Sequence, residues 1–275
     1  MLDDERNDIY LHIDKRAVAL YQKIKGFKTK KAGFYLIEKS IKVYWGDISL
    51  VKAEYLLFET ALKNGTYVYY HLLSGTDLPI KSQDYIHEFF HKNSGKEFVG
   101  FWQNAAHQRD LERKVFRYYF FTQRLKDKGN LLHEITSLIR NAVLALHKIS
   151  NYRRKTTFEF KKGGQWVSIT ENAVSYLLQY KSTILKRMKY TLCPDEIFIQ
   201  TLLWNSPFRE KMYCINDANI GCMRDIDWER GNPYIWQNSD YKRLVDSNKI
   251  FARKFHSKQM QVVHEIQKSY SKQHT

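Results

Sequence analysis

Between Asn7 and Asp14 apolar and polar residues alternate through Ile9, Tyr10, Leu11 and Ile13 before the chain turns charged. This pattern predicts a strand running into an acidic loop. A second strand is expected near Ile41 to Tyr44. From Ser49 to Lys63 the apolar positions Leu50, Val51, Tyr55, Leu56, Phe58 and Leu62 recur at helical spacing, and Asn64-Gly65 supplies the stop. The β-branched and aromatic run Tyr67 to Leu73 then predicts a buried strand, closed by Ser74-Gly75. Further along, Asp84 to Lys92 has a helical pattern, Lys96 to Phe101 a strand pattern, and Arg109 to Asn151 a mostly helical pattern broken at Gly129-Asn130. Gly163-Gly164 places flexible backbone before a short strand at Trp166 to Ile169. Glu171 to Met188 continues as a helix, and Pro194 opens another.

Strand, helix, strand is the grammar of an α/β sheet, whose ligands bind beyond the carboxyl ends of the strands; the loop Ser74 to Pro79 sits at such an end. The 275 residues, 43% hydrophobic, can bury a substantial core, and no Pro/Gly/Ser-rich linker divides them, so one domain over 1–275 is expected. The three cysteines, Cys193, Cys214 and Cys222, have neither disulfide parity nor metal-ligand spacing, which points to a reducing cytoplasm. No apolar run reaches the roughly 20 residues needed to cross a bilayer, and the acidic start at Asp3, Asp4 and Glu5 excludes a signal peptide. A formal net charge of +16 suits an anionic partner: a phosphorylated substrate, an anionic membrane face or a nucleic acid. Nucleic acid is disfavoured because the Lys and Arg residues are spread along the chain, without a zinc-finger or ribonucleoprotein motif. The basic, aromatic stretch Arg109 to Lys128 is compatible with peripheral contact at the inner membrane face.

Five blocks carry a family resemblance: Trp45-Gly46-Asp47-Ile48-Ser49-Leu50-Val51, Leu73-Ser74-Gly75-Thr76-Asp77-Leu78-Pro79-Ile80, Gly163-Gly164-Gln165-Trp166, Pro194-Asp195-Glu196, and Leu244 to Phe255, which ends Phe251-Ala252-Arg253-Lys254-Phe255. In this order, over about residues 7–256, the chain resembles the core-2/I-branching β-1,6-N-acetylglucosaminyltransferases, a family that also contains the protein xylosyltransferases. Residues 257–275 match nothing in the pattern and are left as a C-terminal tail. The resemblance implies a GT-A-like nucleotide-sugar transferase fold, with a central mixed, mostly parallel sheet flanked by helices. It also implies an inverting transfer of a sugar, N-acetylglucosamine in the first reading and xylose in the second, from a UDP donor to a glycan hydroxyl. Family members generally begin with an apolar strand and a His-Asn loop ahead of the segment that opens this chain. A missing strand and an incomplete donor pocket are therefore expected, and a non-catalytic binder of anionic glycan or membrane is the competing reading.

By the same resemblance Glu196 is the general base, and Lys254 and Arg224 hold the donor diphosphate, with Arg230 as the substitute for Arg224. Asp14 lies by the nucleotide, and Asp77 and Trp166 contact a sugar. The resemblance also implies that no metal or other cofactor is needed, side-chain cations taking over the stabilisation of the departing diphosphate. The Asp-x-Asp at Asp225-Ile226-Asp227, which would bind a metal in most GT-A enzymes, comes too late in the chain and is taken as structural.

Overall fold

The computed structural model describes residues 1–127 and 129–271. In chain order its elements are β1 (Asp8–Leu11), α1 (Val18–Ile24), β2 (Gly33–Leu36), α2 (Ile48–Asn64), β3 (Tyr69–His71), β4 (Asp77–Pro79), α3 (Gln83–Lys92), α4 (Ala105–Phe116) and α5 (Leu131–Ile149). There follow β5 (Ser168–Thr170), α6 (Glu171–Gln179), α7 (Lys181–Met188), α8 (Phe198–Trp204), α9 (Ala218–Cys222), β6 (Arg224–Ile226), α10 (Tyr241–Asp246), β7 (Phe251–Arg253) and α11 (Met260–Ser271).

The fold is α/β, with short mixed sheets in place of one long, mostly parallel sheet. Strands β1 and β2 pair in parallel, β3 and β5 pair antiparallel, and β7 lies between β4 (antiparallel) and β6 (parallel). Phe98 joins the β3–β5 pair by a single bridge to Ser168 and Glu97 makes a separate bridge to Met212, so the strand predicted over Lys96 to Phe101 is not formed as a strand.

The strand predicted near Ile41 to Tyr44 is instead a loop whose backbone donors go to side chains. Ile41 donates to His12 Nε2 (3.1 Å), Val43 to Asp14 (3.0 Å) and Tyr44 to Ser49 Oγ (2.9 Å), which leaves these donors unavailable to a ladder. Helix α2 follows because Asp47 caps it, accepting from Ser49 N (2.9 Å), and because Gly46 takes a left-handed φ of 73° that tightens the entry. Its inward face, with Val51, Tyr55 and Phe58, packs with Val174 and Leu177 of α6, Ile184 of α7 and Phe198 and Leu202 of α8 in the largest core. The helix predicted over Glu171 to Met188 is two helices, parted at Tyr180.

A second core joins Ile80, Trp236, Leu244, Ala252 and Phe255 to Val262, Val263 and Ile266 of α11. Residues up to 271 of the segment read as a tail thus include a packed helix; 272–275 lie outside the described residues. Among the described residues no helix is long and apolar enough to cross a membrane.

Candidate active site

The block around Gly46 positions the block around Glu196. Cys193 N donates to Gly46 O (3.0 Å), and Cys193 takes a left-handed φ of 50° that turns the chain into a single 3-10 turn, Pro194–Glu196, ahead of α8. The next block reaches the same turn: Gly163 N donates to Glu196 O (2.9 Å) and Gln200 Nε2 donates to Gly164 O (2.7 Å). A Cβ at Gly163 would lie 1.8 Å from Gly100 O, so only glycine lets the 163–166 loop sit this close.

The Glu196 side chain is 28% exposed and faces two buried lysines. Its Oε2 is 3.1 Å from Lys114 Nζ and 3.4 Å from Lys162 Nζ; Asp110 completes the cluster at 3.1 Å from Lys114 and 2.6 Å from Lys162. Burial acts most strongly on Lys114 and opposes its charge, but Glu196, Cys193 and Asp110 together outweigh it and raise the ammonium above its ordinary range. Burial likewise acts upward on Asp110, but hydrogen bonds from Lys162, Arg113 and Lys114 hold its carboxyl well below the usual carboxylate range. Asp110 and Lys114 come from one face of α4 at i, i+4 spacing, and Lys162 from the residue before Gly163. None of the three stood out in the sequence, since each is one of many charges and only folding gathers them.

Asp195 points the other way, into the interior. Its Oδ1 has no partner among the described residues, and the carboxyl is pushed up to about 7, first by burial and then by the charge of Glu196. Glu54 on α2 is also buried, neither oxygen having a partner among the described residues, and burial followed by the nearby Asp195 raises it well above the carboxylate range. Asp195 therefore holds a proton in the native state that an unfolded chain gives up above about pH 4. The contribution of Asp195 to stability is full below that pH and is lost as pH rises through about 7. Asp195→Asn should flatten the fall in melting temperature between mildly acidic and mildly alkaline buffers; an unchanged slope in a pH series of thermal melts would contradict the assignment.

The remaining blocks meet at Arg253. Its guanidinium lies 3.9 Å over the Trp166 ring and donates to Asp77 (2.6 Å), Thr76 Oγ1 (3.2 Å) and Ser74 Oγ. Asp77, buried, also accepts from Ser74 N (2.6 Å), and β4 pairs Asp77 directly with Arg253 of β7. Lys254 follows. Its backbone N donates to Tyr234 O (3.3 Å), its carbonyl accepts from Trp236 N (3.0 Å), and the residue, half-buried, has no ion pair among the described residues. A continuous path thus runs from Glu196 through the 163–166 loop and Trp166 to Arg253 and Lys254.

Of the sequence candidates, Glu196, Trp166, Asp77 and Lys254 lie along this path. Arg224 does not present itself the same way: it is 1% exposed, donates to the carbonyls of Cys222, Val167 (2.7 Å) and Leu72 (3.5 Å), and burial lowers it to about 10. Arg230 is held by Asp227 (2.6 Å) and Asp240 (2.8 Å). Asp225 accepts from Ser247 (2.8 Å) and Asp227 from Arg230 and Arg243 (3.0 Å), so both carboxylates of the Asp-x-Asp have side-chain partners. Among the described residues no cluster of His, Cys, Asp and Glu has the arrangement to hold a metal ion. Asp14 lies three residues past β1, accepting from Arg16 (2.7 Å) and Val43 N (3.0 Å), and fastens the 41–44 loop.

Next to the Glu196 cluster lies a cleft of about 490 Å³ lined by Trp102, His107, Trp228 and residues 217–219. Trp102 stacks on His107 (5.0 Å), meets Trp228 edge-on (6.3 Å), and lies under Lys162 Nζ (4.8 Å). Burial and then Lys162 lower His107.

The profile of the family described as "Core-2/I-Branching enzyme" matches residues 1–272. The chain belongs to the core-2/I-branching family. It is 25% identical over 282 residues to "Xylosyltransferase 2" of Rattus norvegicus, covering 95% of this chain and 30% of that protein. It is 24% identical over 267 residues to "Xylosyltransferase oxt" of Drosophila melanogaster, covering 90% of this chain and 28% of that protein. The chain thus spans less than a third of the length of these relatives. The match runs beyond the five blocks and takes in α11, consistent with the packing of that helix in the second core.

Proposed function

We propose that this core-2/I-branching family member is an inverting glycosyltransferase of GT-A type that moves a sugar from a UDP donor to a glycan hydroxyl without a metal ion. The observation that carries the reading is the path that joins a lysine-paired carboxylate, Glu196, to Lys254, an ammonium without an ion pair among the described residues, through the stacked Trp166–Arg253 pair.

In this mechanism Glu196 accepts the proton of the attacking hydroxyl as the bond from acceptor oxygen to the anomeric carbon forms, and the bond to the diphosphate breaks on the opposite face. Lys114 and Lys162 hold the carboxylate in place. Lys254 meets the negative charge that builds on the departing UDP, while the neighbouring Arg253, its charge offset by Asp77, holds Trp166 in place. Arg224, committed to three carbonyls, acts in this scheme as a brace between the β3 end, the 163–167 loop and β6. The Trp102–Trp228 cleft suits the acceptor, because a sugar ring presents an apolar face that packs on indole and the volume is of the size expected of small-ligand sites.

Two donors divide the expectation. UDP-N-acetylglucosamine follows from the sequence blocks, and the names of the relatives favour UDP-xylose, which lacks the hydroxymethyl group at C5. Turnover measured with both donors in the presence of EDTA should show transfer or hydrolysis of one at a rate unchanged by the chelator. Loss of rate with EDTA and its return with manganese would overturn the metal-free reading, and absence of UDP affinity in calorimetry would favour a non-catalytic binder.

A further inference from the structure

Helix α5 is built inside out. Its apolar side chains at Leu131, Ile135, Leu138, Ala142, Leu146 and Ile149 recur at intervals of three or four and form one stripe, yet Leu131 is 76%, Leu138 73%, Leu146 63% and Ile149 83% exposed. The side chains of this helix that are buried are the polar Thr136 and Arg140. Single exposed leucines are ordinary, but a continuous stripe some five turns long marks a surface that something covers.

The charge around the helix says what. Residues 117–158 hold nine Lys and Arg against two Asp and Glu, so 42 of 275 residues supply +7 of the net +16. Lys126 lies exposed before the helix, and Lys148, Arg153 and Lys155 are exposed at its end or beyond it. Aromatic rings accompany them: Phe121 and Tyr152 are about half exposed on either side of α5, and exposed Trp45 lies 4.7 Å beneath Lys126 Nζ. A second copy docked on the stripe would bring two such basic segments together, which like-charge repulsion opposes. An anionic bilayer has the complementary sign and accepts both parts: the apolar stripe in the acyl boundary and the cationic and aromatic rim among the headgroups.

We propose that α5 lies in the plane of an anionic phospholipid membrane surface, with the 131–149 stripe buried in it and Lys126, Lys148, Arg153 and Lys155 on the headgroups. At 19 residues the helix is about 28 Å long, and it carries Glu134, Arg140 and Lys148, so it lies along the surface and does not cross it. The sequence pointed to Arg109 to Lys128 for such contact; the structure moves it to the next helix, because α4 turns Leu111 and Val115 inward, and Lys128 itself lies outside the described residues.

The test is co-sedimentation of the whole chain with phosphatidylcholine vesicles with and without phosphatidylglycerol, at low and high salt. Wild type should bind the anionic vesicles and lose affinity as salt rises. The triple variant Leu138→Glu, Leu146→Glu, Ile149→Glu, whose positions are exposed, should bind them at least about tenfold more weakly with an unchanged circular dichroism spectrum. The charge variant Lys126→Glu, Lys148→Glu, Lys155→Glu should lose the preference for phosphatidylglycerol. Equal binding of wild type to both vesicle types, or full binding by the triple variant, overturns the proposal. So does a wild-type dimer in sedimentation equilibrium that the triple variant abolishes, which would give the stripe to a second copy.

Discussion

Glu196→Gln should lower kcat by about 10²–10⁴-fold, the range over which a positioned base contributes, while the dissociation constant for UDP stays near the wild-type value. The amide is isosteric and cannot accept the hydroxyl proton. Lys114 and Lys162 keep Asp110 as a partner, at 3.1 Å and 2.6 Å, so the cluster loses one charge and not its frame. Calorimetry with UDP and rapid-quench turnover separate the two effects. Full turnover by the variant would remove Glu196 from the chemistry. A parallel loss of UDP affinity would mean that the substitution has disturbed the 163–166 loop, which is bonded to the Glu196 carbonyl.

Lys254→Ala should act on the other half of the reaction. Removing a cation aimed at a developing charge costs about 10²–10³-fold in rate, and here the same group also holds the donor, so kcat/KM should fall more than kcat. Lys254→Arg keeps the charge but replaces a compact ammonium with a planar fork, and should recover part of the loss. Because both backbone groups of Lys254 are hydrogen-bonded, to Tyr234 and Trp236, the side chain can be removed with little effect on the strand. An alanine variant with wild-type kcat/KM would assign the diphosphate to another part of the protein.

How much of this was legible beforehand depended on whether local pattern or tertiary contact decided each element. Helix α2 and strand β3 were read correctly in kind because an apolar period of the right length ends in Asn64-Gly65 and Ser74-Gly75. Ile41 to Tyr44 has an equally β-like composition, but its donors are taken by His12, Asp14 and Ser49, two of them about 30 residues away, and no local rule shows that. At the site, Glu196, Trp166, Asp77 and Lys254 came from blocks with a recognisable spacing. Arg253 stood in one of those blocks and was passed over, although its stack on Trp166 and its bonds to Asp77 join three of the blocks. Arg224 was assigned to the diphosphate by the family resemblance, and the structure makes it a buried donor to carbonyls. Asp110, Lys114 and Lys162 became visible only when α4 and the 163–166 loop came together.

The most direct test is a crystal structure of the chain with UDP grown in the presence of manganese. The diphosphate should lie against Lys254, on the Trp166 side of the site, with no manganese on Asp225 or Asp227 and with Glu196 open to the anomeric position. A manganese ion bridging the diphosphate to those two aspartates, or UDP seated away from both Lys254 and Glu196, would contradict it.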